Sequence, residues 1–300
     1  VENCGPFGCT ESTQVNQEAT ARLQEEEPLG RFNGFGTYTN RNHLAFEEIG
    51  EVWRTSDGPG PFFSGLMNLP FYKALVFTLT YTFVVTPLVI ILGFVIALSV
   101  NRLPGLFKGP TIFFSLLPMI VTPLIGSLIL FWMIDAKGVI GGTLQIIFDD
   151  PDLSLKASPG LTWVTLMVYG VWHSAPFAFV VFYAGLQTVP QDTLESAMID
   201  GATRWQRIRH VVIPHLTPLV VFITLIQLMD NFRVFEPIVG FNAEASATSL
   251  SWIIYNDLRS SDGTMLYGSA AATSMLTIVG VCILLAPVIV RTWRANRRAA

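Results

Sequence analysis

The chain has 300 residues, of which 51% are hydrophobic and 13% are charged, and its formal net charge is −4. Soluble globular domains carry about 25% charged residues, so this composition excludes an ordinary soluble protein. The negative net charge disfavours a nucleic-acid partner, because phosphate recognition needs a basic face. The apolar residues are concentrated after Leu66, whereas residues 1–65 are polar and contain no long apolar run.

Five apolar segments are long enough to cross a bilayer as helices, which requires about 20 residues each. They span residues 71–100, 110–134, 161–189, 217–240 and 269–290. Strands of a membrane barrel would be about ten residues long and would alternate in polarity, and these segments do neither. The predicted fold class is therefore an all-α integral membrane protein, a polytopic helical bundle with five visible transmembrane helices.

The Lys and Arg residues of the short connections predict the orientation, because positive charge in such connections favours the cytoplasm. One set of connections contains Arg102, Lys108, Arg204, Arg207, Arg209, Arg291, Arg294, Arg297 and Arg298. The opposite set contains Lys137, Lys156 and Arg259 among acidic residues. We therefore expect the first set and the C-terminal tail 294–300 to be cytoplasmic, and residues 1–65 to be extracytoplasmic.

The polar segment 1–65 would have to be carried across the membrane, although no apolar segment precedes it. We therefore expect a sixth transmembrane helix upstream of Val1, with unaided translocation of the N-terminus as the alternative. Cys4 and Cys9 lie in this segment. An oxidising compartment permits a disulfide between them, and free thiols are the alternative because a five-residue spacing decides nothing.

The connection between the third and fourth predicted spans, residues 190–214, has the pattern of a helix–turn–helix. Asp192 followed by Glu195 matches a capping box, which starts a helix. Gly201 is placed to end that helix, because glycine takes the left-handed conformation of a helix C-terminus without a steric penalty.

A second short helix follows in the same connection. Thr203 and Gln206 repeat the capping pattern, Trp205 contributes to an apolar face, and Pro214 is expected to close the helix before the next span. The residues alone leave two readings open. The pair of helices is either a docking element for another protein or an amphipathic hairpin that rests on lipid headgroups.

The stretch Glu195-Ser-Ala197, followed by Asp200-Gly201-Ala202 and Ile213-Pro214, resembles the EAA motif of permease subunits of binding-protein-dependent ABC importers. Ser196 replaces the central alanine of that motif, and Ile208 stands where the family usually has an aromatic residue. Residues 66–293 as a whole are similar to the maltose-type sugar permeases. The resemblance implies a transmembrane permease domain at 66–293 with the core fold of a type I ABC importer.

The resemblance also implies a role for the 190–214 loop, which would be the coupling helix that docks on a cytosolic ATP-hydrolysing subunit. The residues carried over to that interface are Glu195, Ala197, Asp200, Gly201, Ala202 and Pro214. The implied partners are a second permease subunit, two ATPase subunits and an extracytoplasmic solute-binding protein, assembled in the bacterial cytoplasmic membrane. The 300 residues contain no Gly-x-x-x-x-Gly-Lys-Ser/Thr phosphate loop. We therefore expect no catalysis and no cofactor in this chain, with ATP and Mg bound by the partner ATPase.

Polar groups in the fourth predicted span indicate a substrate pathway, because they are costly at membrane depth. Asp230, Arg233 and Glu236 are spaced for pairing along a helix. For Arg233 and Glu236, a purely structural salt bridge is the alternative to a pocket role. The resemblance to the maltose-type subunit implies that Asp230 and Asn231 contact sugar. The substrate-binding residues predicted in this span are Thr224, Gln227, Asp230 and Asn231.

The third predicted span contains a second group of candidate substrate residues around Pro176, which removes a backbone hydrogen bond and can open the helix toward a cavity. The candidates are Trp172, Ser174 and Phe177, where the aromatic rings would stack on a sugar and Ser174 would allow close approach. Packing or lipid contact is the alternative for each aromatic. His173 is expected to hydrogen-bond a neighbouring helix, and no metal site is predicted because no second ligand has suitable spacing.

Together these patterns predict a permease subunit that translocates a sugar or sugar-like solute in an ATP-driven importer. Two alternatives remain at this point: an importer for a non-sugar solute, and a secondary transporter driven by an ion gradient. Asp230 is the feature that best suits the ion-driven transporter. A membrane enzyme is disfavoured, because the sequence presents no nucleophile–base or metal constellation.

Overall fold

The fold comes from a computed structural model. It describes residues 2–5, 8–11, 36–39, 43–56, 58–135, 137–150, 154, 156, 159–259 and 267–299, with backbone only at 2–5, 8–11, 47 and 293–299. Apart from one short β-hairpin, every regular element in this described part is helical. The predicted class, a polytopic helical membrane protein, is confirmed.

The polar N-terminal segment contains the hairpin and three short helices. The elements are β1 (Glu2–Gly5), β2 (Gly8–Glu11), α1 (Gly36–Thr39), α2 (Phe46–Thr55) and α3 (Pro59–Leu66). The two strands are antiparallel, and their register places Cys4 directly opposite Cys9. The side chains of both cysteines lie outside the described part of the chain, so the disulfide stays a prediction.

The remaining helices form the membrane domain and its connections. They are α4 (Pro70–Asn101), α5 (Gly105–Ile120), α6 (Pro123–Met133), α7 (Val139–Phe148), α8 (Pro159–Leu186), α9 (Gln191–Ile199), α10 (Arg204–Arg207), α11 (Ile213–Phe232), α12 (Glu236–Gly240), α13 (Leu250–Leu258) and α14 (Tyr267–Ala299). A π-helical turn, Ile208–Val212, joins α10 to α11. Four uninterrupted helical stretches among the described residues are long and apolar enough to cross a membrane, and a bent pair of helices brings the number to five.

The second predicted span, 110–134, is not one helix. It is the bent pair: α5 and α6 meet at 95° across residues 121 and 122. The break follows from Pro123, because the residue before a proline is driven out of the helical conformation. Thr122 accordingly has an extended backbone, with φ −62° and ψ 145°.

The fourth predicted span, 217–240, also has the wrong limits. Helical structure begins at Arg204, runs without a gap to Phe232, and then stops; Glu236 starts the separate short helix α12. The apolar composition of 217–240 suggests one continuous helix, but residues 233–235 are not helical.

Helices α4 and α8 form the centre of the bundle. Their buried residues include Phe77 and Val89 on α4, and Phe179 and Phe182 on α8. Gly93 marks the closest approach, because a Cβ added there would lie 2.6 Å from Ala178 Cβ and 2.8 Å from the Phe179 backbone nitrogen. Small residues permit such close contact between membrane helices, where packing rather than water exclusion drives association.

An ion pair and a cation–π contact of one lysine stabilise the connection that follows α6. Lys156 Nζ lies 3.1 Å from Asp135 Oδ2 and 3.4 Å from the centroid of the Phe131 ring. The hydrogen bond from Lys156 lowers the pKa of the Asp135 carboxyl below its ordinary value, and the Lys137 backbone N–H assists. Because the pKa of Asp135 is lowered in the folded chain, the ion pair stabilises the fold at pH values above the ordinary Asp pKa. That stabilisation is lost as the pH falls through the lowered pKa.

Replacing Gly93 with alanine should destabilise the α4–α8 contact, because the new methyl group would clash with the backbone of α8 at Phe179. Overpacking of this kind costs about 1–3 kcal/mol. The matched control is Gly109→Ala on α5, where an added Cβ has nothing within 4 Å. The measurement is the unfolding transition of the purified protein in detergent, and equal transitions for the two variants would contradict this packing.

Candidate functional site

A cavity of about 530 Å³ lies where the two helix breaks face α8. Its walls come from α4, from the α5–α6 break, from α8, and from the break between α11 and α12. The lining residues are Tyr81, Met119, Pro123, Tyr169, Gly170, His173, Ser174, Phe177, Ile226, Gln227, Asp230, Asn231, Arg233, Val234, Phe235, Glu236 and Pro237.

Side chains of α8 satisfy the backbone at the first break. The Tyr169 hydroxyl donates to the Pro123 carbonyl at 2.8 Å, and His173 Nε2 donates to the Val121 carbonyl at 3.1 Å. Non-helical backbone at membrane depth is tolerated only where its polar groups find partners in the protein or in a water-filled cavity. The prediction that His173 bonds a neighbouring helix is confirmed, and the break it stabilises forms one wall of the cavity.

The second break is held in a similar way. Ser249 Oγ donates to the Val234 carbonyl at 2.6 Å, and the Arg233 and Val234 amides bond back to carbonyls of the last turn of α11. The opening in the helix therefore falls at 233–235, after α11. Pro176, which was expected to open α8, lies buried inside an unbroken helix.

A buried amide cluster forms one side of the cavity. Asn231 Nδ2 donates to Thr86 Oγ1 on α4 at 3.1 Å and to Gln227 Oε1 at 3.4 Å. Gln227 and Asn231 are both almost completely buried. The cluster therefore links α4 to α11, and both of its amide residues line the cavity.

The charged residues lie at the mouth of the cavity. Arg233 Nη2 is 3.2 Å from Asp230 Oδ1, and both side chains are more than half exposed. The predicted extension of this pairing to Glu236 is wrong for the described residues, where Glu236 forms no salt bridge. The reason is the helix end at Phe232, which removes the helical spacing between Arg233 and Glu236.

Five of the seven predicted substrate residues line the cavity: Ser174, Phe177, Gln227, Asp230 and Asn231. The other two, Trp172 and Thr224, do not. Trp172 is 48% exposed, because its place in the helical repeat turns it away from the cavity face of α8. The Thr224 hydroxyl donates to the Val220 carbonyl of its own helix at 2.7 Å. The role of the five in substrate binding remains a prediction.

Sequence reasoning did not single out Tyr81 and Tyr169, although both line the cavity. A hydroxyl in an apolar membrane helix is the signal that could have indicated them, since buried tyrosine hydroxyls usually find a partner. Their rings, together with Phe177, give the cavity three aromatic walls. Among the described residues, no group of three His, Cys, Asp or Glu side chains could hold a metal ion.

The turn in the 190–214 loop forms as predicted. Gly201 has φ +78°, and its N–H bonds to the Met198 carbonyl at 3.0 Å while the Ala202 N–H bonds to the Ala197 carbonyl at 2.9 Å. This pair of bonds is the Schellman arrangement that ends many helices. The predicted capping box of the second helix is confirmed as well: Thr203 and Gln206 exchange both hydrogen bonds.

Two local predictions for this loop are wrong. The residue that caps α9 is Pro190, and Asp192 lies inside the first turn without a capping hydrogen bond. Pro214 does not close the second helix, because the chain continues through it into α11. The Ile213 N–H reaches back to the Ile208 carbonyl, a wide π-helical turn, and Pro214 then falls in the first turn of α11, where a missing N–H costs little.

The loop has apolar side chains that the described part of the chain leaves exposed. Ile199 is 87% exposed and Trp205 is 65% exposed, and Met198 is exposed beside them. Glu195 and Asp200 are also on the surface. An ordered turn that presents large apolar groups next to carboxylates has the character of a protein-binding surface.

An α-helical bundle with a polar cavity between its helices and a rigid, capped loop at one end defines a membrane permease. The chain belongs to the family of binding-protein-dependent transport system inner membrane components, whose model matches residues 59–295. The match begins within α3, a few residues before the boundary expected at 66.

Similar proteins agree with this family. The trehalose/maltose transport system permease protein MalF of Thermococcus litoralis is 30% identical over 214 residues, which cover 70% of each chain. The multiple sugar-binding transport system permease protein MsmF of Streptococcus mutans is 29% identical, over 70% of this chain and 73% of its own. A crystal structure of a bacterial ABC transporter for import of alginate contains a chain with the same fold. It has a TM-score of 0.66 and 20% identity, and covers 93% of this chain and 90% of that one.

The hydrogen bond between Thr86 and Asn231 should contribute measurably to the α4–α11 contact. A double-mutant cycle with Thr86→Val and Asn231→Leu should give a coupling of about 0.6 kcal/mol, the average for hydrogen bonds between membrane helices. The Asn231–Gln227 bond is lost both in Asn231→Leu alone and in the double variant. Its contribution therefore cancels in the cycle. Additive effects on the unfolding transition would show that the bond does not form.

Proposed function

We propose that this chain is a permease subunit that passes a sugar or sugar-like solute through the membrane in an ATP-driven importer. The observation that carries the proposal is the cavity at the two helix breaks. It joins amide and carboxylate groups with the rings of Tyr81, Tyr169 and Phe177. Sugars present hydroxyls to such polar groups and C–H faces to aromatic rings. The names of the similar permeases, which refer to trehalose, maltose and multiple sugars, support the same class of substrate.

The proposal assigns the cavity residues specific roles. Gln227, Asp230 and Asn231 would hydrogen-bond the solute, Phe177 would stack on it, and Ser174 would leave room for it. An importer for a different polar solute is the alternative within the family. An ion-driven transporter is less well supported, because Asp230, the expected coupling acid, pairs with Arg233 at the exposed mouth of the cavity rather than lying alone at mid-membrane.

Energy would come from partner subunits. The family description specifies a binding-protein-dependent inner membrane component. We propose as partners an extracytoplasmic solute-binding protein, a second permease subunit and two ATPase subunits that bind ATP and Mg. The surface formed by Met198, Ile199 and Trp205, with Glu195 beside it, would dock on an ATPase subunit. The basic connections support a cytoplasmic location for this loop and for the tail 294–300, with residues 1–65 outside.

The test of the whole proposal is uptake by proteoliposomes that contain the chain with its partner permease and ATPase subunits, with the solute-binding protein outside. Radiolabelled disaccharide should accumulate only when ATP is trapped on the ATPase side. Accumulation driven by a proton or sodium gradient in the absence of ATP would support the ion-driven alternative. ATP-dependent uptake of a non-sugar solute, with no sugar transported, would show that the chain belongs to an importer for a different class of substrate.

Removing a cavity hydrogen-bonding group should slow uptake without preventing assembly. Gln227→Leu and Asp230→Ala should each lower transport by about tenfold, since a hydrogen bond to the solute contributes roughly 0.5–3 kcal/mol, with charged groups at the upper end. Thr224→Val is the matched control, because Thr224 lies on the same helix and does not line the cavity. The measurement is initial uptake rate at equal amounts of assembled complex. If the control lost as much activity as the two cavity variants, the binding surface would lie elsewhere.

Changing Gly201 should uncouple ATP hydrolysis from the loaded binding protein. Valine at φ +78° would strain the turn by about 1–3 kcal/mol and distort the adjoining surface. Asparagine, which tolerates the left-handed conformation, is the matched control. Gly201→Val should lose both uptake and stimulated ATP hydrolysis while the binding protein still binds sugar, and Gly201→Asn should keep most of both. Full coupling in Gly201→Val would overturn the role of this loop.

A further inference from the structure

A second cavity, of about 210 Å³, lies between the end of α4, the end of α8 and the 190–214 loop. Three arginines, Arg102, Arg204 and Arg207, contribute to its lining, together with Asn101 and Gln191. No Asp or Glu lines it. The cavity is therefore a concentration of positive charge with hydrogen-bond donors, where the loop meets the membrane helices.

The positive charge of this cavity is not neutralised within the described part of the chain. None of the three guanidinium groups forms a salt bridge there, and the Nε of Arg207 is buried without a hydrogen-bond partner. The carboxylates of α9 are exposed and do not reach the cavity. Arg207 is half-buried and Arg102 and Arg204 are exposed, so a bound anion would supply the partners that these guanidinium groups lack within the described part of the chain.

An apolar groove of about 170 Å³ lies about one helical turn from this cavity, on the side away from the loop. Its lining residues are all apolar: Ile90, Ile91, Phe94, Phe182, Ile213, Leu216 and Val220. The groove follows the same three helical segments as the arginine cavity, one turn further from the loop. With distance from the loop, Phe94 lies beyond Leu98 on α4, Phe182 lies beyond Leu186 on α8, and Leu216 lies beyond Val212 on the third segment. Each pair is four residues apart, or about 6 Å along the helix.

We propose that this composite site binds one anionic phospholipid, with its phosphate on Arg102, Arg204 and Arg207 and an acyl chain in the apolar groove. The fork of an arginine guanidinium matches phosphate oxygens, and basic pockets between membrane helices bind anionic headgroups. A free phosphate would use the arginines but would leave the groove without a role. Because the arginines come from α4 and from the loop, the bound lipid would tie the loop to the end of α4.

The test is native mass spectrometry of the complete transporter complex in detergent, with phosphatidylglycerol or phosphatidylcholine of identical acyl chains added. The wild-type complex should retain phosphatidylglycerol in preference to phosphatidylcholine. Arg207→Gln should reduce that retention by about fivefold, the contribution of one arginine at a membrane surface. Arg209→Gln is the matched control, because Arg209 is exposed on the same segment and does not line the cavity. Equal retention of the two lipids, or equal loss in the two variants, would overturn the proposal.

A second pair of variants tests the acyl chain. Ile91→Trp fills the groove, whereas Leu92→Trp adds the same bulk at an exposed neighbouring position outside it. Only Ile91→Trp should weaken phosphatidylglycerol retention, and millimolar inorganic phosphate should not displace the lipid. Displacement by phosphate together with an inert Ile91→Trp would show a simple phosphate site and overturn the lipid assignment. The readout is lipid binding rather than uptake, so its failure would leave the proposed transport function standing.

Discussion

The backbone of a membrane protein has no water to bond at membrane depth, so each amide and carbonyl must find its partner within the chain. In this permease that constraint decides where a helix can stop. The carbonyls of Val121 and Pro123 at the first break accept hydrogen bonds from His173 and Tyr169 of α8, and the Val234 carbonyl accepts one from Ser249. Each break therefore occurs where a neighbouring helix supplies a polar side chain, and nowhere else in the described spans does the chain leave the helical path.

The same constraint explains why the cavity lies where it does. Both breaks border it, the first through Met119 and Pro123 and the second through residues 233–237. Polar groups that stabilise irregular backbone are costly in lipid, so they face one another across a shared space. That space brings hydrogen-bonding groups and aromatic residues together. The cavity is in this sense a consequence of how the fold satisfies its own backbone.

The loop and the cavity are connected by one helical element. Helical structure extends from Arg204 to Phe232, which is 29 residues or about 43 Å, and it begins at the capped turn and ends at Asn231 and the cavity. The π-helical turn at 208–212 joins the two parts without releasing the chain. In the proposed function, a displacement of the turn around Gly201 would be carried along this element toward Gln227 and Asn231. The proposed lipid would act at the loop end of this element.

The sequence by itself determined the features that depend on length and on nearest neighbours. Apolar length predicts the number of spans, and the turn at Gly201 with the Thr203–Gln206 box is predictable because its bonds join residues at most five positions apart. The tertiary structure decided the rest. Pro123 disfavours helix locally at residue 122, but the places where 110–134 and 217–240 leave the helical path also depend on partners such as Tyr169 and Ser249, which are distant in sequence. Whether Trp172 or Ser174 faces the cavity depends on how α8 is rotated against α4. That rotation depends on the packing of the two helices, including the close contact of Gly93 with Ala178, which no local pattern records.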